Sequence, residues 1–236
     1  MNALADPRVG SFINEHCVSS FQKVATFKIV NGQKQGGNVA SYFCAPDGRV
    51  LHVVAGPVDA DTMLREAKWV VATTEKAITL SKGDGAEFKA IMRRAHAEKM
   101  RQETGLIVDA ITWDPPEKQD DNDALTYRDP TGRSLAPLLP PPPINGPDVR
   151  LNAKQEKLAA APGNRMVRDR EGRGVAINTQ GTVDQIMAAH SLIKLERIYG
   201  TIFENVLGEK ISTRPVDIVN PFPWVDNRGA PQRRNK

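Results

Sequence analysis

Along the first 110 residues the apolar and polar positions change period several times, and each change marks an element. Asp6 followed by Pro7 has the chemistry of an N-cap and a first-turn proline, opening a short helix through about Glu15 with Val9, Phe12 and Ile13 on one side. Val18 to Val30 is rich in β-branched and aromatic residues, and Val24, Phe27 and Ile29 predict an interrupted strand. Glycine and glutamine punctuate Asn31 to Asn38. The clearest signal is Val39 to Val54, where the runs VASYFC and RVLHVV flank Ala45-Pro46-Asp47-Gly48, a four-residue turn that specifies a hairpin. With Cys44 opposite Arg49, Tyr42, Cys44, Leu51 and Val53 share one face, and Val39, Ser41, Phe43, Val50, His52 and Val54 share the other. Both faces are mostly apolar, which predicts a sheet covered by helices on both sides, an α/β layer fold.

Ala55-Gly56-Pro57 ends the hairpin, and Asp59 or Asp61 caps a helix whose apolar positions are Met63, Leu64, Ala67, Val70, Val71 and Ile78. A second helix runs from about Gly85 to Glu103, with Asp84 as N-cap and Glu87 completing an aspartate version of the capping box. Phe88, Ile91, Met92 and Ala95 form its expected buried stripe. Lys89, Arg93, Arg94, His96, Lys99 and Arg101 lie on its other faces, interleaved with Glu87, Glu98 and Glu103, and read as solvated. Further on, Arg165 to Asn178 predicts a small hairpin across Asp169-Arg170-Glu171-Gly172. Thr182 and Gln185 suit a capping box opening a helix with a stripe at Ile186, Leu192, Leu195, Ile198, Tyr199, Ile202, Phe203, Val206 and Leu207, bent at Gly200 and stopped by Gly208. So strong a stripe must be buried, by packing on the first domain or else by self-association or a docking partner.

Composition changes near residue 113. Nine of the 17 prolines fall between Pro115 and Pro147, beside the acidic string Asp120, Asp121 and Asp123. Such a stretch buries too little apolar area to offset its ordering entropy. The chain therefore divides into a domain at 1–112, a disordered linker at 113–150 and a mostly helical segment at 151–236. The linker is a spacer, or alternatively a PxxP ligand.

Apolar residues make up 40% and charged residues 25%, near globular norms, which excludes global disorder, collagen and coiled coils. No run approaches the roughly 18 consecutive apolar residues of a membrane helix, and MNALADPRV has neither a basic nor an apolar leader region, so the chain as written reads as cytoplasmic. Net charge is +4, and its only local excess is the tail with Arg228, Arg233, Arg234 and Lys236, a solvated end rather than a nucleic-acid surface. Cys17 and Cys44 form no C-x-x-C pair and no disulfide framework. A metal site from His16, Cys17, Cys44 and His52 is disfavoured, because the first two are adjacent and the last two project from opposite hairpin faces. Cys44 reads as a small buried hydrophobe and His52 as a packed or hydrogen-bonded histidine. Gly83-Asp84-Gly85 lacks the Walker lysine pattern and reads as a cap. No catalytic residue, cofactor or metal ligand is assigned on these grounds.

The order of elements, with the hairpin SYFCAPDGRVLHVVAG, the helix DADTMLREAKWVV and the preceding stretch DPRVGSFINEHCV, resembles the later two-thirds of a bacterial thioredoxin-like domain over about residues 4–80. The resemblance implies a thioredoxin-like fold and a role in thiol–disulfide or protein handling. This chain departs from it at the chemistry. It has no C-x-x-C, Cys17-Val18-Ser19-Ser20 sits at a helix end where the dipole opposes thiolate, and no proline stands near Val39 where the family has its cis-proline. The expectation is therefore a redox-inactive family member. The competing class is a non-enzymatic interaction module recruiting an unknown partner through the helix at 183–207. The resemblance also implies a reading frame extending upstream of Met1, with a strand and C-x-x-C within about 40 residues. A secretory signal there would reverse the expected localisation.

Overall fold

The computed structural model describes residues 3–22, 28–30, 33–35, 38–109, 139, 141–148, 150, 152–209, 211 and 217–219. Helix α1, Pro7–His16, starts as expected, with the Asp6 carboxylate accepting from the Arg8 amide. The strand expected over Val18 to Val30 is confined to β1, Lys28–Val30. Residues 17–22 have no regular structure, and 23–27 lie outside the described residues. β1 pairs antiparallel with β2, Gln33–Gln35.

The hairpin forms from β3, Ala40–Cys44, and β4, Val50–Ala55, but in a shifted register. Tyr42 lies opposite Val53 and Phe43 opposite His52, and a bulge brings Cys44 opposite Val50. The bulge absorbs one residue on β4, which turns Val50 towards the Tyr42 and Val53 side and corrects the expected faces. Burial on both sides nevertheless holds. Ala40, Tyr42, Val50, Val53 and Ala55 pack in one apolar cluster, while Phe43 and Val54 join Val9, Ile13 and Met63 in another.

Helix α2, Ala60–Ser81, is capped by Asp59, which accepts from the Thr62 amide at 2.7 Å. It turns Met63, Ala67 and Val70 inward and leaves the expected Ile78 exposed. Lys82 and Gly83 close it with left-handed backbone, and Asp84 caps α3, Gly85–Thr104, so the Gly83-Asp84-Gly85 segment is a turn and cap. On α3 the buried stripe is rotated from the expected one. Met92, His96, Lys99, Met100 and Thr104 are buried, whereas Phe88, Ile91 and Ala95 are half-buried. His96 and Lys99 are therefore not on a solvated face.

After α3, β5, Leu106–Val108, pairs with β6, Ile144–Pro147. This corrects the far boundary of the expected linker. Leu139 and Ile144 are core residues, and the Pro142 carbonyl accepts from the Gln185 side chain at 2.6 Å, so this part of the proline-rich stretch is built into the fold. Residues 110–138 lie outside the described residues. Helix α4, Asn152–Ala160, leads to β7, Arg165–Arg168, and β8, Gly174–Ile177, the expected small hairpin. Its Val175 and Ile177 meet Met100, Leu106 and Ile144.

Helix α5, Thr179–His190, begins earlier than the Thr182 box predicts, because the Asn178 side chain caps it by accepting from Gly181. Leu192, in left-handed backbone, breaks the expected long helix; α6, Leu195–Gly200, and a π-helical turn, Thr201–Val206, follow. At the break, the Val50 amide donates to Ile193 and the Leu192 amide to Val50, fastening this segment to β4. β9, Asp217–Val219, adds parallel to β1.

The architecture is mixed α/β. Val183, Ile186, Met187, Ile198, Ile202 and Val206 bury against Val50, Val53 and Ala55. The helical stripe at 183–207 is thus packed on the hairpin of its own chain, the first of the two expected ways of burying it, and these side chains are not the free docking face of the alternative. Among the described residues no helix is long and apolar enough to cross a membrane.

Helix α5 passes so close to the end of α3 that position 181 has no room for a side chain. A Cβ on Gly181 would lie 2.9 Å from both the Asn178 Oδ1 and the Thr104 Cγ2. Gly181→Ala is expected to cost about 1–3 kcal/mol by overpacking, more than the gain of up to about 1 kcal/mol in helix propensity. A denaturation midpoint equal to or above the parent's would show that the contact relaxes freely.

Candidate functional site

The two apolar clusters flanking β4 are joined by a buried group of ionisable side chains drawn from separate elements. β4 supplies His52 from the hairpin face turned towards α2. Helix α2 supplies Glu66 and Trp69, one helical turn apart, and α3 supplies His96, Lys99 and Glu103 along one face. Helix α5 contributes Asp184. His52, His96 and Asp184 are 0% exposed, Glu66 1% and Lys99 6%. Charged groups at such depth persist only when paired.

Lys99 is the hub. Its Nζ lies 2.9 Å from Asp184 Oδ2, 3.1 Å from Glu66 Oε2 and 3.0 Å from Glu103 Oε1. Burial alone lowers an ammonium's affinity for its proton; here the carboxylates of Asp184, Glu66 and Glu103 outweigh it and hold Lys99 above its ordinary value. Burial likewise works to raise Asp184 and Glu66. The hydrogen bond from His96 together with the charge of Lys99, and the hydrogen bond from His52 together with that charge, keep each carboxyl below its usual range. Glu103, at the solvent rim, is pushed up by burial despite Lys99.

The two histidines differ. His96 Nε2 is 3.0 Å from the Leu51 carbonyl and Nδ1 is 2.9 Å from Asp184 Oδ1. A carbonyl only accepts, so the Nε2 that faces Leu51 is a protonated nitrogen, and Nδ1 is the one that faces Asp184. His52 donates from Nε2 to Glu66 Oε2 at 3.0 Å. Its Nδ1 has no hydrogen-bond partner and lies 3.9 Å from Asp184 Oδ1. Burial, the largest influence, lowers the His52 pKa despite Glu66, which keeps the ring neutral with a bare lone pair on Nδ1. Trp69 walls the group, with its ring centroid 4.9 Å from each imidazole and Lys99 Nζ at 5.5 Å.

The residues weighed from sequence are dispersed. His16 is exposed at the end of α1, Cys17 is the C-cap of α1, and Cys44 is exposed at the end of β3 rather than buried. Of that set only His52 enters the cluster, as a hydrogen-bonded core histidine. Partial burial pushes the Cys17 thiol up, and the partial shielding of the Cys44 sulfur from water, aided by the charges of Glu196 and Asp47, does the same there. Among the described residues, His52, His96 and Asp184 form the group whose ligand atoms converge, all within 4.8 Å of one another. Glu66, His96, Lys99 and Asp184 were missed by reading hydrophobicity alone. The available signal was their position, since Glu66 falls in the stripe of Met63, Ala67 and Val70, and His96 and Lys99 fall in that of Met92 and Met100.

Compared with known proteins, the chain matches no family model, no curated protein and no solved structure.

Proposed function

We propose that the chain is a non-enzymatic module of thioredoxin-like type, a scaffold whose reactive side chains are consumed in holding its layers together. The observation that carries this reading is the enclosure of the His52, Glu66, His96, Lys99 and Asp184 group. A general acid, base or nucleophile must reach its substrate within hydrogen-bond distance, and four of these five residues are 1% exposed or less, with Lys99 at 6%. The thiols support the same reading. Both are pushed towards the protonated form, and a thiol that is not ionised is a poor nucleophile. Cys17 also stands at the C-terminal end of α1, where the helix dipole opposes a negative charge.

The test is reduction of insulin by dithiothreitol in the presence of the full chain. No acceleration is expected, and Cys17→Ser and Cys44→Ser should behave like the parent. Acceleration that disappears in Cys17→Ser would restore a thiol–disulfide activity and overturn the non-enzymatic reading.

A further inference from the structure

We infer that the enclosed cluster is a binding site for one divalent transition-metal ion of the zinc class, ligated by His52 Nδ1, His96 Nδ1 and Asp184 Oδ1. Four observations support this assignment.

First, the donor atoms converge from three separate elements to within 4.8 Å of one another. Two ligands on a tetrahedral zinc with bonds of about 2.0–2.1 Å lie about 3.3 Å apart. The Asp184 Oδ1 is 2.9 Å from His96 Nδ1 and 3.9 Å from His52 Nδ1, on either side of that spacing.

Second, the outer supports that metal-bound histidines require are already in place. His52 directs Nε2–H to the Glu66 carboxylate and His96 directs Nε2–H to the Leu51 carbonyl, so each ring offers Nδ1 to the centre. A carboxylate or carbonyl on the far nitrogen fixes the tautomer and raises the basicity of the ligating one.

Third, His52 Nδ1 is a fully buried polar atom with no hydrogen-bond partner, aimed at Asp184. Such an atom costs on the order of 1–3 kcal/mol unless something meets it.

Fourth, carboxylates outnumber the ammonium at the centre: Asp184, Glu66 and Glu103 all lie within 3.1 Å of the one Lys99 Nζ, so a cation brings charge of the favourable sign. Lys99 occupies the other oxygen of Asp184 and does not block the ligating one. Two imidazoles and one carboxylate select zinc-like ions over Mg2+ or Ca2+, which take oxygen ligands.

The inference rests on the reading of this cluster as enclosed, and the two fail separately. The full chain, stripped with a chelator in denaturant, is refolded with Co2+ as a spectroscopic stand-in for Zn2+. About one Co2+ per chain is expected, with visible d–d absorption that Zn2+ abolishes and Mg2+ in equal excess does not. Proton NMR of the Co2+ form should show two strongly shifted exchangeable ring signals, the Nε2–H of His52 and of His96. His52→Gln and Asp184→Asn should each weaken binding by more than about tenfold, and His16→Gln should leave it unchanged. The two shifted signals come from the parent chain, so they decide the matter even where a variant fails to fold. Refolded chain that takes up no Co2+, or a Co2+ spectrum unchanged in folded His52→Gln, would overturn the site. Removal of the ion from folded chain by chelator within seconds would support metal binding while showing an open centre, which would overturn the enclosed reading instead.

Discussion

A chain ended after Gly105 is expected not to fold. The fragment keeps α1, the hairpin, α2 and α3, the elements that resemble a self-contained domain in the sequence. It loses Val183, Ile186, Met187, Ile198, Ile202 and Val206, which cover Val50, Val53 and Ala55. At about 1.5–3 kcal/mol for each buried aliphatic side chain, the burial lost is comparable to the about 5–15 kcal/mol that holds a typical domain together. A bare two-stranded hairpin is marginal in water, and this one would present Tyr42 and Val53 to solvent. The fragment would also leave His96 and Lys99 without Asp184. Amide NMR dispersion and a urea titration would check this. Dispersed signals with a cooperative transition in the fragment would show that the first 105 residues form an independent domain.

Lys99→Met should be the most damaging single substitution on α3. Methionine preserves the length and apolar stem of lysine but leaves Glu66 and Asp184 buried without the ammonium that offsets their charge. Removing one partner of a buried ion pair costs about 3–5 kcal/mol. In a chain of this size that corresponds to a fall in melting temperature on the order of 10 °C. Arg94→Met, which removes the exposed pair with Glu87 on the same helix, should change stability by no more than about 0.5 kcal/mol. Equal effects of the two substitutions would show that the cluster is solvated and that its enclosure contributes nothing. Because pairs of this kind stabilise only when complete, the cluster is better understood as fixing how β4, α2, α3 and α5 register against one another than as a source of net stability.

Much of the local structure was legible in the sequence. The caps at Asp6, Asp59 and Asp84 and the turn around Asp47-Gly48 act through side chains and backbone within a few residues, so their chemistry is complete in the sequence itself. The two-sided burial of the hairpin was legible for the same reason, since alternation with apolar residues on both faces has one economical solution. The stop at Gly208, in left-handed backbone, was equally local.

What the tertiary structure decided depends on neighbours distant in the chain. The break at Leu192 exists because the segment after α5 hydrogen-bonds to Val50, a partner 142 residues earlier that no helical period anticipates. The proline-rich stretch is a strand at 144–147 because Leu106–Val108 is there to pair with it, a contact invisible in composition. The candidate site is the strongest case. Lys99 and His96 look like a solvated face as long as α3 is read alone, because charge is assigned to water by default. Only when Glu66 arrives from α2 and Asp184 from α5 does each charge find the partner that makes its burial tolerable. Periodicity determined where the helices lie along the chain; the pairing of charges across helices determined which faces turned inward.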